Sequence, residues 1–571
     1  MMDDSKPGDD IDARRQGDGA PDDGPDAGPT RRFIGSPMEM GESGFSPADA
    51  YRMDYPERGY ALIINNRKFA SHLRMPERHG TDVDAAGLYQ VFTDLQFKVD
   101  LKHNMSKKDL LDYLKEVYTC SSLISAAVDH SRFDCFACAI LTHGEEGIIY
   151  ATDGTIPITD IVEPFKGHNC RSLIGKPKLF FIQACRGTRL DHGVEKSDGA
   201  GEETMDEVDA ATVHRIPSEA DFLMAYSVVP GFFSWRNSTN GSWFCQALIQ
   251  MLKQHGKTMD LLSVMTRVNR KVAYEFESNA AKAHMTNKKQ IPCITSMLTK
   301  DLYLRPKSSL PPNRMEPVHE YCMDHASRGL AVIINNRHFQ HPDWGERRGT
   351  DVDAVKMRQV LTNLGFEVRL YQNETEEGFR EILAEAVQYD HHNSDCFACV
   401  VLSHGESGYV YATDEIIPLS SIFEPFTEKN CPGLRGKPKL FFIQACQGKQ
   451  LDDGVDFVDD RDSVDSALET DAPIGEGIAV VPDFLVVSSS VPGYYSWRNN
   501  VRGSWFCQSF CDVISRLGDR MDLLRLLTRV SRKVAYDFQS VSHSVPEIHA
   551  KKQIPCVISM LTKDLYFRPK R

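Results

Sequence analysis

No uninterrupted run of about 18 apolar residues, the length needed to cross a bilayer, occurs anywhere in this chain of 571 residues. Its first residues, Met-Met-Asp-Asp, are acidic where a secretory leader would be basic and then apolar. These two absences predict a soluble, cytoplasmic protein without a membrane partner. The fifteen cysteines are odd in number and spread through the chain, which speaks against a disulfide framework and for reduced thiols. Tryptophan is scarce: four of the five stand in two versions of one short motif.

What is present is ordinary for globular protein, with 41% hydrophobic and 26% charged residues. The length exceeds one core and suits two domains of about 250 residues each. The net charge of −14 is unevenly placed. Residues 1–50 carry 12 acidic and 5 basic side chains, residues 191–209 carry 8 and 1, and residues 452–476 carry 10 and 1. The remainder is basic, so acidic, polar segments alternate with basic folded parts. Nothing here calls for a nucleic-acid partner.

One stretch organises the rest. Residues 178–187, Lys-Leu-Phe-Phe-Ile-Gln-Ala-Cys-Arg-Gly, read as a short strand buried on both faces that delivers Cys185 to the end of a sheet. Residues 439–448 repeat it as Lys-Leu-Phe-Phe-Ile-Gln-Ala-Cys-Gln-Gly, and Thr-His-Gly-Glu at 142–145 returns as Ser-His-Gly-Glu at 403–406. His143 to His404 and Cys185 to Cys446 are each 261 residues apart. A period of that length is a duplicated domain rather than a solenoid repeat. The Gln-Ala-Cys-Arg-Gly sequence with an upstream histidine resembles the caspase signature, and the chain is similar to two executioner-type caspases in tandem.

The resemblance implies a caspase-like α/β fold: two domains, each with a six-stranded mixed sheet flanked by helices. Residues 1–50 read as a short disordered prodomain, too polar for the helical module of initiator caspases. Domain 1 spans 51–306, with a large subunit 51–209 and a small subunit 210–306. A Pro/Ser-rich tether covers 307–320, and domain 2 spans 321–571, divided into 321–471 and 472–571. In the first copy strands are expected at 59–65, 98–103, 133–141, 178–183, 221–227 and 292–304, and helices at 81–95, 107–117, 242–254 and 261–276. Thr-Asp-Val-Asp at 81–84 and 350–353 reads as a capping box. The last strand of each copy is expected to pair across a dimer, either within the chain as a pseudo-dimer or between chains.

By the same resemblance Cys185 and Cys446 are nucleophiles, His143 and His404 the general bases, and the backbone N–H groups of Gly144 and Gly405 oxyanion donors beside those of the cysteines. Such chemistry needs an activated thiol and donors aimed at the developing oxyanion. An aspartate carboxylate entering a pocket must exchange water for forked donors, which arginine supplies better than lysine. The resemblance gives Arg78, Gln183 and Arg236 to the first pocket and Arg347, Gln444 and Arg498 to the second. Trp235, Trp243, Trp497 and Trp505 are expected to wall upstream subsites, with Asn237 and Asn499 as polar contacts. The loops 278–287 and 540–550 lack the aromatics that executioner caspases carry there.

The acidic linkers contain tetrads that caspases cut. Asp-Glu-Val-Asp ends at Asp209, Asp-Ser-Val-Asp at Asp465 and Leu-Glu-Thr-Asp at Asp471, each before a small residue, which implies a zymogen activated by cleavage, with an upstream caspase as partner and proteins bearing exposed Asp-containing loops as substrates. Cys135/Cys138 and Cys396/Cys399 have zinc-like spacing, but in a strand positions i and i+3 face opposite sides. They read as core, and no metal or cofactor is expected. A competing reading makes one copy a non-catalytic regulator of the other.

Overall fold

The computed structural model describes residues 49–118, 128–187, 214–278, 285–307, 319–342, 344–457, 482–541 and 546–570. Asp209, Asp465 and Asp471 lie outside them. Each copy contributes six strands to one sheet. The first copy supplies β1 (Glu57–Asn65), β2 (Lys98–His103), β3 (Phe133–Leu141), β4 (Lys178–Gln183), β5 (Phe222–Tyr226) and β6 (Cys293–Ser296). The second supplies β7 (Leu330–Asn335), β8 (Glu367–Gln372), β9 (Phe397–Leu402), β10 (Lys439–Gln444), β11 (Phe484–Ser488) and β12 (Cys556–Ser559). Within each copy five strands are parallel and the last is antiparallel. Both sheets are therefore mixed, as expected.

The two sheets are one. β6 pairs antiparallel with β12, in the register Ile294↔Ser559, Thr295↔Ile558 and Ser296↔Val557, giving the twelve-stranded order β8-β7-β9-β10-β11-β12-β6-β5-β4-β3-β1-β2. A second bridge between copies joins His214–Ile216 to Val455–Phe457. The copies thus close on each other within the chain.

Alternation along the strands splits the core into two layers. Ala61 and Ile63 of β1 point to one face and Leu62 and Ile64 to the other. The first face is covered by α1 (Thr81–Asp94), α3 (Trp243–His255) and α4 (Leu261–Glu275), and in the second copy by α5 (Thr350–Asn363), α7 (Trp505–Leu517) and α8 (Leu523–Asp537). The opposite face is covered by α2 (Lys107–Tyr118) and α6 (Glu376–Gln388). Cys135 and Cys138 are wholly buried in opposite layers, as are Cys396 and Cys399. One pair cannot clasp one ion.

Two expectations fail locally. Thr81 and Thr350 are not caps: each is the first helical residue, behind Gly80 and Gly349 in the left-handed region at φ 83°. Their hydroxyls serve neighbouring side chains instead, described below. The last strands are also shorter than the apolar runs that suggest them, because after Ser296 and Ser559 the chain leaves the ladder and makes only isolated bridges, at Asp301, Tyr303, Asp564 and Tyr566.

Candidate active site

Register places the histidine beside the cysteine. β3 and β4 run parallel with Leu141 opposite Gln183, so His143 and Cys185 each lie two residues past a matched pair. In the second copy Leu402 faces Gln444, and His404 and Cys446 follow at the same offset. A side chain added at Gly144 would meet the Cys185 carbonyl and the Ala184 Cβ at 2.9 Å, and one at Gly405 would meet the Ala445 Cβ at 3.0 Å and the Cys446 carbonyl at 3.1 Å. Only glycine lets these two backbone segments approach so closely.

Both members of the first pair are held by backbone. His143 Nε2 lies 2.8 Å from the Pro76 carbonyl, and its ring packs on Phe69 with centroids 4.9 Å apart. Cys185 Sγ lies 4.0 Å from the Ser234 carbonyl. Burial pushes the imidazole down to about 4, opposed by the Pro76 hydrogen bond and reinforced by the Arg78 and Arg236 charges. Burial raises the thiol above its ordinary value, against the lowering effect of the Ser234 contact and the same arginines. At neutral pH the site therefore rests as a neutral imidazole beside a neutral thiol, an acceptor next to an acid. In the second copy His404 Nε2 sits 2.8 Å from the Gly345 carbonyl, and Cys446 Sγ 4.0 Å from the Ser496 carbonyl.

Arg78 and Arg236 sit close enough to the first pair for their charges to act on both its members. Arg78 is fully buried, and its Nη1 donates to the Asn66 carbonyl (3.1 Å) and to Thr81 Oγ1 (2.6 Å). Its Nε and Nη2 have no protein partner, which leaves half of a buried fork open to an incoming acceptor. Burial lowers its pKa to about 9, with the Arg236 charge adding to the shift. Arg236 donates through Nε to the His79 carbonyl at 2.9 Å, and Gln183 Nε2 donates to Ser234 Oγ at 2.9 Å. Arg347 repeats the first arrangement with the Asn336 carbonyl (3.0 Å) and Thr350 Oγ1 (2.7 Å). Arg498 and Gln444 repeat the other two with the Arg348 carbonyl and Ser496 Oγ.

The tryptophans stack in series. Trp235 and Trp243 lie 5.7 Å apart and Trp243 continues onto Phe276 at 5.5 Å. Trp497, Trp505 and Phe538 repeat the stack at 5.6 and 5.5 Å. Trp505 is wholly buried, while Trp497 keeps exposed surface. Asn237 Oδ1 accepts from the N–H groups of Thr239 and Asn240, and Asn499 Oδ1 from those of Val501 and Arg502. The carbonyl end of each amide thus closes its own turn.

Sequence reasoning missed three groups. Thr81 Oγ1 donates to Asn65 Oδ1 at 2.8 Å while accepting from Arg78, so the hydroxyl assigned to a cap orients the Arg78 guanidinium. Asp84 is buried and accepts the Ser242 N–H at 2.9 and 3.0 Å, tying α1 to the strand pair that carries Arg236 and Asn237. Burial raises this carboxyl to about 7, and that of its counterpart Asp353 to about 6. Thr-x-x-Asp was their signal, misread because a capping box has the same spacing. The third is Trp344, the fifth tryptophan. It stacks on His341 at 4.8 Å and contacts Tyr411 at 4.6 Å and Phe339 at 6.0 Å, and Phe339 in turn packs on His404 at 4.8 Å.

Among the described residues no helix is long and apolar enough to cross a membrane, and no disulfide joins the described cysteines. The family model described as "Caspase domain" matches twice, over residues 58–303 and 328–566. Caspase-3 of Bos taurus is 49% identical over 262 residues, covering 46% of this chain and 90% of the relative. Caspase-3 of Felis catus is 47% identical over 274 residues (48% and 93%), and that of Mus musculus 47% over 262 residues (46% and 89%). One relative thus spans about half of this chain, and the duplicated halves belong to the caspase family of cysteine-type, aspartate-specific endopeptidases.

Proposed function

We propose that both copies are catalytic, and that the chain is an executioner-like caspase zymogen acting in the cytoplasm during apoptosis. The observation that carries this reading is the equivalence of the two sites: histidine and cysteine at equal offsets beyond matched strand residues, a glycine pressed on the cysteine backbone, and a buried arginine alongside.

In each copy the chemistry runs through an acyl-thioester. The substrate aspartate docks against Arg78, Arg236 and Gln183, or against Arg347, Arg498 and Gln444. Sγ of Cys185 or Cys446 attacks the scissile carbonyl as its proton passes to His143 or His404. The oxyanion is met by the N–H groups of Gly144 and Cys185, or Gly405 and Cys446. The imidazolium returns its proton to the leaving amine as the C–N bond breaks. Water, deprotonated by the same histidine, then opens the thioester and restores the thiol. Trp235, Trp243, Trp497 and Trp505 shape the upstream subsites, with Asn237 and Asn499 at their rim. Cleavage after Asp209, Asp465 or Asp471 by an upstream caspase frees the linker ends and activates the enzyme.

The test is hydrolysis of Asp-Glu-Val-Asp and Leu-Glu-Thr-Asp fluorogenic peptides by the linker-cleaved chain and its Cys185→Ala, Cys446→Ala and double variants. Each single variant is expected to lose part of the activity and the double variant all of it. Complete loss from one single variant with no loss from the other would leave one enzyme beside a regulatory partner.

A further inference from the structure

The seam where β6 meets β12 is flanked by two buried ion clusters that are not equivalent. At one end the Asp301 carboxylate accepts Arg529 Nη1 (2.7 Å) and Nη2 (2.9 Å) together with Arg525 Nε (3.0 Å) and Nη2 (2.9 Å). Asp49 adds a second acid there, 3.5 Å from Arg529 and 3.8 Å from Arg532. At the other end, among the described residues, Asp564 accepts Arg267 alone, through Nη1 (3.2 Å) and Nη2 (2.9 Å). Burial alone would push both aspartates up. Arg525 and Arg529 outweigh it and hold Asp301 below the ordinary carboxylate range, whereas Asp564 stays above it.

The copies correspond position by position at this seam. Asp301 matches Asp564 and Arg267 matches Arg529, but Arg525 stands where the first copy has Ser263, three residues after the helix-capping Asp522 and Asp260. The Asp301 N–H donates to the Asp49 carbonyl as that of Asp564 donates to the His319 carbonyl, so His319 stands where the first copy has Asp49. Arg270 and Arg532 correspond and add equally to any pairing. Glu320 of the second copy is held by Arg568 of the same copy at 2.6 Å. Among the described residues the first copy therefore presents two acids (Asp49 and Asp301) and two arginines (Arg267 and Arg270) at the seam, and the second presents one acid (Asp564) and three arginines (Arg525, Arg529 and Arg532).

We propose that these differences form a pairing code, in which Asp49 and Arg525 select the unlike copy as partner. With Arg532 and its counterpart Arg270 counted, unlike pairing sets two acids against three arginines at one end and one against two at the other, a surplus of one arginine at each. Pairing two first copies would set two acids against two arginines at both ends, and pairing two second copies one against three, so like pairing gathers the whole arginine surplus into one assembly. In a buried seam an unmatched charge costs far more than on a surface. The tandem chain is thereby steered to close on itself instead of joining like copies from different chains, which is specificity by disfavouring the wrong partner.

The code makes a prediction that total charge cannot imitate. The paired exchange Ser263→Arg with Arg525→Ser keeps composition and moves the extra arginine onto the copy that carries the extra acid, which inverts the preference. Adding Asp49→His with His319→Asp moves the acid as well and restores it. Each full chain would be nicked at a protease site placed within the tether 307–320, then re-equilibrated and read by native mass spectrometry. For the unaltered protein unlike pairs should exceed like pairs by at least about tenfold. The paired exchange should make like pairs the majority, and the fourfold exchange should bring back the unlike excess. A statistical mixture from the unaltered protein, or an unlike excess untouched by the paired exchange, would overturn the code. The first of these results needs no variant to fold.

Discussion

The two copies share the geometry of the proposed reaction centre but differ around it, and where they differ is instructive. His143 with Cys185 and His404 with Cys446 hold the same register and the same carbonyl contacts. Departures gather instead at the seam, where Arg525 replaces Ser263, and in the loop before α5, where Trp344 reaches Phe339 beside His404. The chemistry tolerates one geometry, whereas pairing and subsite shape are open to change without disturbing it.

The sharpest way to break the equivalence is at the pocket arginines. Arg78→Ala should lower kcat/KM on an aspartyl peptide at the first site by about 10³-fold, since a buried charge pair truncated on one side loses about 2–5 kcal/mol. Arg78→Lys should recover little of this, because a point charge cannot replace the fork. Arg347→Ala should do the same at the second site alone. Steady-state kinetics in the Cys446→Ala and Cys185→Ala backgrounds separate the two, and an equal loss at both sites would mean the pockets are not independent.

A second comparison is of resting ionisation. With the Cys185 thiol held above its ordinary value by burial, its alkylation by iodoacetamide, read by peptide mass spectrometry, should rise about tenfold per pH unit and keep rising past the ordinary thiol range. A plateau near neutrality would show a preformed thiolate–imidazolium pair. The histidine gives the converse sign: with its folded pKa lowered to about 4, stability falls as pH drops from the unfolded value near 6.5 and the loss is complete below about 4.

Asp84 and Asp353 set a finer contrast. Their folded pKa values are raised by burial, to about 7 and about 6, so the folded state binds a proton that the unfolded chain releases near 3.9. Their contribution is full at low pH, is lost as pH rises, and levels off above about 7 for Asp84 and about 6 for Asp353. Asp84→Asn should flatten the decline across that whole window, and Asp353→Asn only its lower part. Urea midpoints measured from pH 4 to 8 would show it. The smallest effect is expected from Trp344→Met: aromatic pairs are worth about 0.5–1.5 kcal/mol, so kcat/KM should change by about tenfold or less, at the second site only.

Much of the molecule was legible because local signals agreed. Four apolar residues between a turn and Gln183 could only be a buried strand, and the 261-residue period marks two copies. The facing of Cys135 and Cys138 followed from the two-residue alternation of a strand. Thr81 and Asp84 were misplaced because spacing specifies proximity along a helix and not the partner that competes for a side chain. Arg78 and Ser242 won that competition.

By itself the sequence determined the duplication, the strand ends that carry histidine and cysteine, and the family, since these depend on residue type and short-range periodicity. Tertiary structure alone decided that β6 and β12 join the copies into one sheet, that Asp301 gathers two arginines where Asp564 gathers one, and that Trp344 reaches the second site. Those contacts connect residues up to hundreds of positions apart, or across loops whose path no local propensity fixes, and only the packed chain brings them together.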